Sequence, residues 1–170
     1  MIVVADASPL NYLVLIDQIG LLPVLYQRVL IPEAVLAELE RPRTPKSVSL
    51  WVAAPPSWLE VCVVHGVPDG GLVGLDPGER DAILLALERG VGLVLIDEAE
   101  GRREAERRHI RVAGTLAVLE QAAQRGLVDL PALLERLRKT NFRVSSDLIR
   151  QLLDRGKGSS RESGKDQNYE

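Results

Sequence analysis

The sequence predicts an α/β fold built on a central, mostly parallel sheet. Helix-type patterns alternate with β-rich runs along the chain in the order β-α-β-α-β-α-β. Two of the β-rich runs, Ile2–Ala5 and 91–96 (VGLVLI), are almost continuously apolar, the pattern of strands covered on both faces. Both end on a carboxylate, Asp6 and Asp97, and ligand sites in such sheets lie beyond the carboxyl ends of the strands.

In chain order, Ile2–Ala5 is the first strand. A helix follows over 9–19, with Ser8 suited to its N-cap, Pro9 to its first position and Gly20 as its stop. Residues 28–31 form a short strand. Pro32 opens the helix PEAVLAELE, which ends before Pro42, and RPRTPKS is a loop. Residues 48–54 read as a short helix closed by Pro55 and Pro56, and 58–64 (WLEVCVV) as a strand. A long loop rich in Gly and Pro leads to a strong helix over 79–89, stopped by Gly90. After the strand at 91–96 come a charged helix over 98–108, a short strand at 111–113, helices over 116–125 and 131–139, and a helix over 146–155. From Gly156 the chain is small, polar and charged, a composition that predicts disorder.

At 170 residues the chain is expected to hold one domain and a tail. Net charge is −3, which argues against a broad basic footprint, yet nine of the 21 Lys/Arg and only five of the 24 Asp/Glu lie from Arg136 onward. Aromatics are scarce, with one Phe, two Trp and three Tyr, so any nucleic acid is gripped through phosphates rather than base stacking. Cys62 is alone, which excludes a disulfide framework and makes a reducing cytoplasm the expected location. The N-terminus reads as a strand and not a signal peptide, and no apolar run has the length of a membrane span.

The acidic residues carry the chemistry. Asp6 has two readings, an Asx-turn and a functional carboxylate; Ser8 at the cap position leaves it free for the second. Asp97 suits the N-cap of the helix that starts at Glu98, and Glu98 suits the dipole of that first turn. Asp76, Pro77 and Glu79 make a capping-box pattern, which leaves Asp81 the freer acid of that helix. Glu38 borders the buried stripe formed by Val35, Leu36 and Leu39. Carboxylates gathered at one sheet edge repel each other unless cations neutralise them, and Mg²⁺ or Mn²⁺ suits an all-oxygen site. Such sites serve phosphodiester hydrolysis. His65 and His109 are isolated, and with no Cys–His cluster zinc is not expected. Arg102, Arg103 and Arg107 lie on a helix that reads either as a solvated face laced with ion pairs or as a phosphate contact near the site.

Four segments, VVADASPLNYL, IPEAVLAEL, GERDAILLA and LVLIDE, resemble in order the four acidic motifs of PIN-domain proteins, and AGTLAVLEQAAQRGLV resembles a segment of the branch described as nucleic-acid-binding. The resemblance covers 1–140, leaving 141–155 as a helical extension and 156–170 as a disordered tail. It implies a three-layer α/β/α sandwich and a Mg²⁺- or Mn²⁺-dependent ribonuclease. It also implies a homodimer and the toxin role of a toxin–antitoxin pair, opposed by a small antitoxin protein. Residue by residue, it implies Asp6, Asp81 and Asp97 as metal ligands and Glu38 as a fourth catalytic acid, with Ser8, Glu79 and Glu98 as accessory groups. The sequence departs from the family at Leu95, where Thr or Ser is usual, and no Phe follows Asp97. That departure sustains an alternative: a degenerate PIN-like module that binds nucleic acid or protein without cleaving. A receiver- or phosphatase-like domain fits less well, because position 8 is Ser where a second Asp is wanted.

Overall fold

The computed structural model describes residues 1–162. Five strands, β1 (Ile2–Ala5), β2 (Arg28–Pro32), β3 (Leu59–Cys62), β4 (Leu93–Leu95) and β5 (Arg111–Ala113), form one sheet in the order β3-β2-β1-β4-β5, with every pairing parallel. The sheet is flanked by helices, the three-layer α/β/α arrangement. β1 lies at the centre, and its residues Val3, Val4 and Ala5 are fully buried, which is why that run is apolar without alternation. The order of strands reverses direction at β1, so the crevice between the ends of β1 and β4 is the switch point at which α/β sheets place their ligands.

The helices of this part are α1 (Ala7–Leu15), α2 (Leu21–Leu25), α3 (Glu33–Leu39), α4 (Lys46–Ala53), α5 (Pro77–Arg89) and α6 (Ala99–Arg107). α5 is set at both ends by local chemistry. Asp76 is its N-cap and accepts from the Gly78 N–H at 3.1 Å, Pro77 opens it, and Gly90 closes it in the left-handed region at φ 62°. Its residues Ala82, Ile83, Leu85 and Ala86 pack in a core with Val4, Leu30, Val94 and Ile96.

Met1–Thr115 form one compact unit and the chain from Leu116 on a second. The second holds α7 (Thr115–Gln124) beyond its first residue, α8 (Leu130–Arg138) and α9 (Ser146–Glu162). α8 is capped by Asp129 and buries Leu130, Leu133, Leu134 and Leu137 at helical spacing. Arg155 of α9 lies 3.2 Å from Glu120 of α7. Among the described residues no helix is long and apolar enough to cross a membrane.

Several boundaries differ from expectation. α1 begins at Ala7, so Ser8 is its second residue and not its cap. The segment after Gly20 coils into the short helix α2, and the Gly-rich loop holds a 3-10 turn at Gly70–Gly74. β3 and β4 are shorter than their β-rich runs, because only the paired residues qualify. α9 runs on through 156–162, where a tail was expected; the rest of that tail, 163–170, lies outside the described residues.

Candidate functional site

Beyond the carboxyl ends of the central strands lies a cavity of about 460 Å³ lined by Asp6, Ser8, Glu38, Asp76, Glu79, Glu98, Ala99 and Glu100. Asp6 arrives there because β1 ends beneath it; its N–H continues the ladder, donating to Leu95 O at 2.9 Å. Asp6 stands at the N-cap position of α1, yet its side chain makes no cap bond to that helix. It is 4% exposed, and its Oδ1 is buried without a hydrogen-bond partner. Glu79, on the first turn of α5, is 6% exposed and its Oε1 is likewise without a partner.

A buried anionic oxygen without a donor is costly, and the titration of both groups reflects it. Burial raises Asp6 from 3.8 to about 7; the Ala7 N–H opposes the shift, and the carboxylates of Glu38, Glu79 and Asp76 add to it. Burial raises Glu79 to about 7 as well, with Glu98 and Asp76 contributing and the Asp76 N–H opposing. Glu38, half-buried on α3, is raised by burial and by Asp76, with Arg41 acting against.

Two glycines leave the carboxylates their space. A Cβ at Gly78 would stand 2.8 Å from Asp6 Oδ1 and 3.0 Å from Glu38 Oε2, so those two acids converge on the backbone of α5. A Cβ at Gly101 of α6 would stand 3.0 Å from Glu79 Oε1. Neither glycine was singled out from the sequence; GER and EGR at helix starts were the available signals.

Asp97 and Asp81 take different places. Asp97 follows β4 but does not line the cavity. Its Oδ1 accepts from the Thr115 N–H at 2.7 Å, and its Oδ2 accepts from the hydroxyls of Thr115 at 2.8 Å and Ser8 at 3.0 Å. The N-cap of α6 is Glu98, without a side-chain cap bond, so Asp97 does not cap that helix. Leu95, where a hydroxyl residue was expected, is fully buried in β4, and hydroxyls reach Asp97 from Ser8 and Thr115 instead. Asp81 is also outside the lining: Arg80 Nε donates to its Oδ1 at 2.7 Å. The cavity instead gathers Asp76, read from sequence only as a cap, and Glu100, which drew no notice.

The α6 arginines are largely committed. Arg107 pairs with Glu104, Arg103 lies 3.9 Å from Glu100, and Arg108 bridges Glu104 at 2.6 Å and Asp69 at 3.0 Å. Arg108 and Arg107 hold the Glu104 carboxyl below its usual range. Arg102 is half-buried near Gly114.

The donor set fits a hard divalent cation. All its members are oxygens, and two of them are buried and unpartnered. Among the described residues no group of three or more His, Cys, Asp or Glu is arranged to hold a metal ion as it stands. Mg²⁺ needs no such cage, since it keeps several waters and is commonly held through one or two carboxylates. A family model described as a PIN domain matches residues 2–157, beyond the 140 at which the resemblance was expected to stop. No curated protein and no solved structure matches the chain.

Proposed function

The chain belongs to the PIN-domain family, a nuclease-type fold, and on that footing we propose that it is a Mg²⁺- or Mn²⁺-dependent ribonuclease whose active site is the acidic cavity at the end of β1. The observation that carries the reading is the pair of buried, unpartnered oxygens, Asp6 Oδ1 and Glu79 Oε1, on two residues that line a cavity with no cationic side chain in its lining. Such a pair is stable only protonated or neutralised by a cation.

In this proposal Asp6 and Glu79 hold the cation. When bound, it would acidify the attacking water and offset the charge that develops on the phosphate. Glu38, less buried, orients that water and takes its proton. Asp97 is a positioning residue: it fixes the Ser8 hydroxyl at the cavity wall. Asp81 has no part in the proposed ligand set. The toxin role of a toxin–antitoxin pair, as a homodimer opposed by a small antitoxin protein, is supported by the motif resemblance, and a cytoplasmic location by the lone Cys62. The toxin role is tested by whether a small protein encoded beside this chain suppresses its toxicity on co-expression.

The test of the activity is cleavage of single-stranded RNA with Mg²⁺ or Mn²⁺ by the parent chain and by Asp6→Asn. Loss of one charge-stabilising group of this kind lowers the rate on the order of 100-fold or more. Equal rates overturn the assignment. A second reading, a binding module with a degenerate site, is favoured by one observation: both oxygens of Asp97 are engaged by donors. That reading expects RNA binding without cleavage and no stabilisation by millimolar Mn²⁺.

A further inference from the structure

The acidic cavity repels the polyanion it is proposed to cut, so cations must stand beside it. The loop that follows α3, with the first residue of α4, carries three in RPRTPK at 41–46. Arg41, Arg43 and Lys46 are exposed. Among the described residues none of the three takes part in an ion pair, whereas Arg103 and Arg107 of α6 and Arg108 at its end all do.

The loop is built from the same residue that enters the cavity. Glu38 O accepts from the Arg41 N–H at 3.2 Å and from the Thr44 hydroxyl at 3.2 Å, and the Thr44 N–H donates to Arg41 O at 3.0 Å. Pro42 and Pro45 fix φ on either side of that turn. Glu38 thus sends its carboxylate toward Asp6 and anchors the basic turn with its carbonyl. Arg41 is close enough that its charge acts on the Glu38 carboxyl.

We propose that Arg41, Arg43 and Lys46 form a backbone-phosphate subsite that seats single-stranded nucleic acid, RNA in the reading above, with the phosphate to be cut over the acidic cavity. The inference rests on the nuclease reading for its substrate. Because the contacts are to phosphates, the loop fixes position on the strand and carries no base preference.

The experiment is fluorescence anisotropy of the full chain with a 5′-labelled single-stranded RNA in EDTA, which blocks turnover, over a range of KCl. Each phosphate contact on a single strand contributes about 0.7 to the slope of log affinity against log salt. Arg41→Gln, Arg43→Gln and Lys46→Gln together make the slope shallower by about 2 and weaken binding about 10-fold or more near 0.1 M salt. Arg43→Gln alone removes about 0.7 of the slope. All three side chains are exposed, so the melting temperature stays at the parent value. A triple variant with the parent's slope and affinity overturns the proposal. So does a parent that binds no RNA, or a slope lost on Arg103→Gln with Arg107→Gln but not on the loop variant. A loop variant with the shallower slope in a chain that cuts nothing with Mn²⁺ sinks the nuclease reading and leaves the subsite standing. Cleavage by the parent with unchanged binding by the loop variant sinks the subsite alone.

Discussion

The Ser8 hydroxyl donates to Asp97 Oδ2 at 3.0 Å, tying the first turn of α1 to the end of β4 across 89 positions of sequence. The same carboxylate accepts twice from Thr115. Asp97 is therefore a junction whose donors lose their shared acceptor when it is truncated. Asp97→Ala lowers stability by about 3 kcal/mol, given the usual cost of losing hydrogen bonds to a charged acceptor. Thermal denaturation reads this as a fall of roughly 6–12 °C. Asp97→Asn keeps the acceptor for the Thr115 N–H and falls less. A Mn²⁺ affinity near the parent's in Asp97→Asn supports its role as a positioning residue; loss of binding in that variant makes it a ligand.

Gly78 tests the space between Asp6 and Glu38. Ala is the better helix former by about 1 kcal/mol, and the position lies inside α5, so Gly78→Ala folds. Its Cβ, however, meets Asp6 Oδ1 at 2.8 Å and Glu38 Oε2 at 3.0 Å. The carboxylates must move apart, and Mn²⁺ affinity by titration calorimetry falls about 10–100-fold, the range seen when groups supporting a metal site are altered. Unchanged affinity would show that the space Gly78 leaves beside Asp6 is not part of the ion's site.

Asp6 and Glu79 retain their protons up to about pH 7 in the folded chain, against ordinary values of 3.8 and 4.5. Between those limits the folded state binds more protons than the unfolded one. Stability of the metal-free chain therefore falls as pH rises from about 4 to about 7 and then levels off. Cation binding must displace the same protons, so Mn²⁺ affinity climbs from pH 6 to 8 by about tenfold in total for each proton released, most of it below pH 7. Asp6→Asn flattens part of both profiles. Denaturant melts across this range, with and without Mn²⁺, check both signs.

The sheet was legible because its central strands are buried on both faces: Val3, Val4 and Ala5, and Leu93 to Ile96, had to be apolar throughout. The start and stop of α5 were legible because Asp76, Pro77 and Gly90 act locally. The inward face of that helix was not. Glu79 and Asp81 are two residues apart, about 200° around a helix of 3.6 residues per turn, so only one can face the cavity. Spacing names both, and packing selects Glu79. The hydrogen bonds of Asp97 were hidden too, since its donors come from Ser8 and Thr115, remote in sequence. Ser8 misled as a cap because its hydroxyl is spent on Asp97 instead.

The central claim is that Asp6 and Glu79 together hold a divalent cation. Calorimetric titration of Mn²⁺ into the full chain at pH 8 tests it most directly, with Asp6→Asn, Glu79→Gln and Asp81→Asn alongside. The account predicts saturable binding to the parent and to Asp81→Asn, and binding weakened about 10-fold or more in Asp6→Asn and Glu79→Gln. A parent that takes up no Mn²⁺, or one whose binding survives both cavity substitutions and is lost with Asp81→Asn, would contradict it.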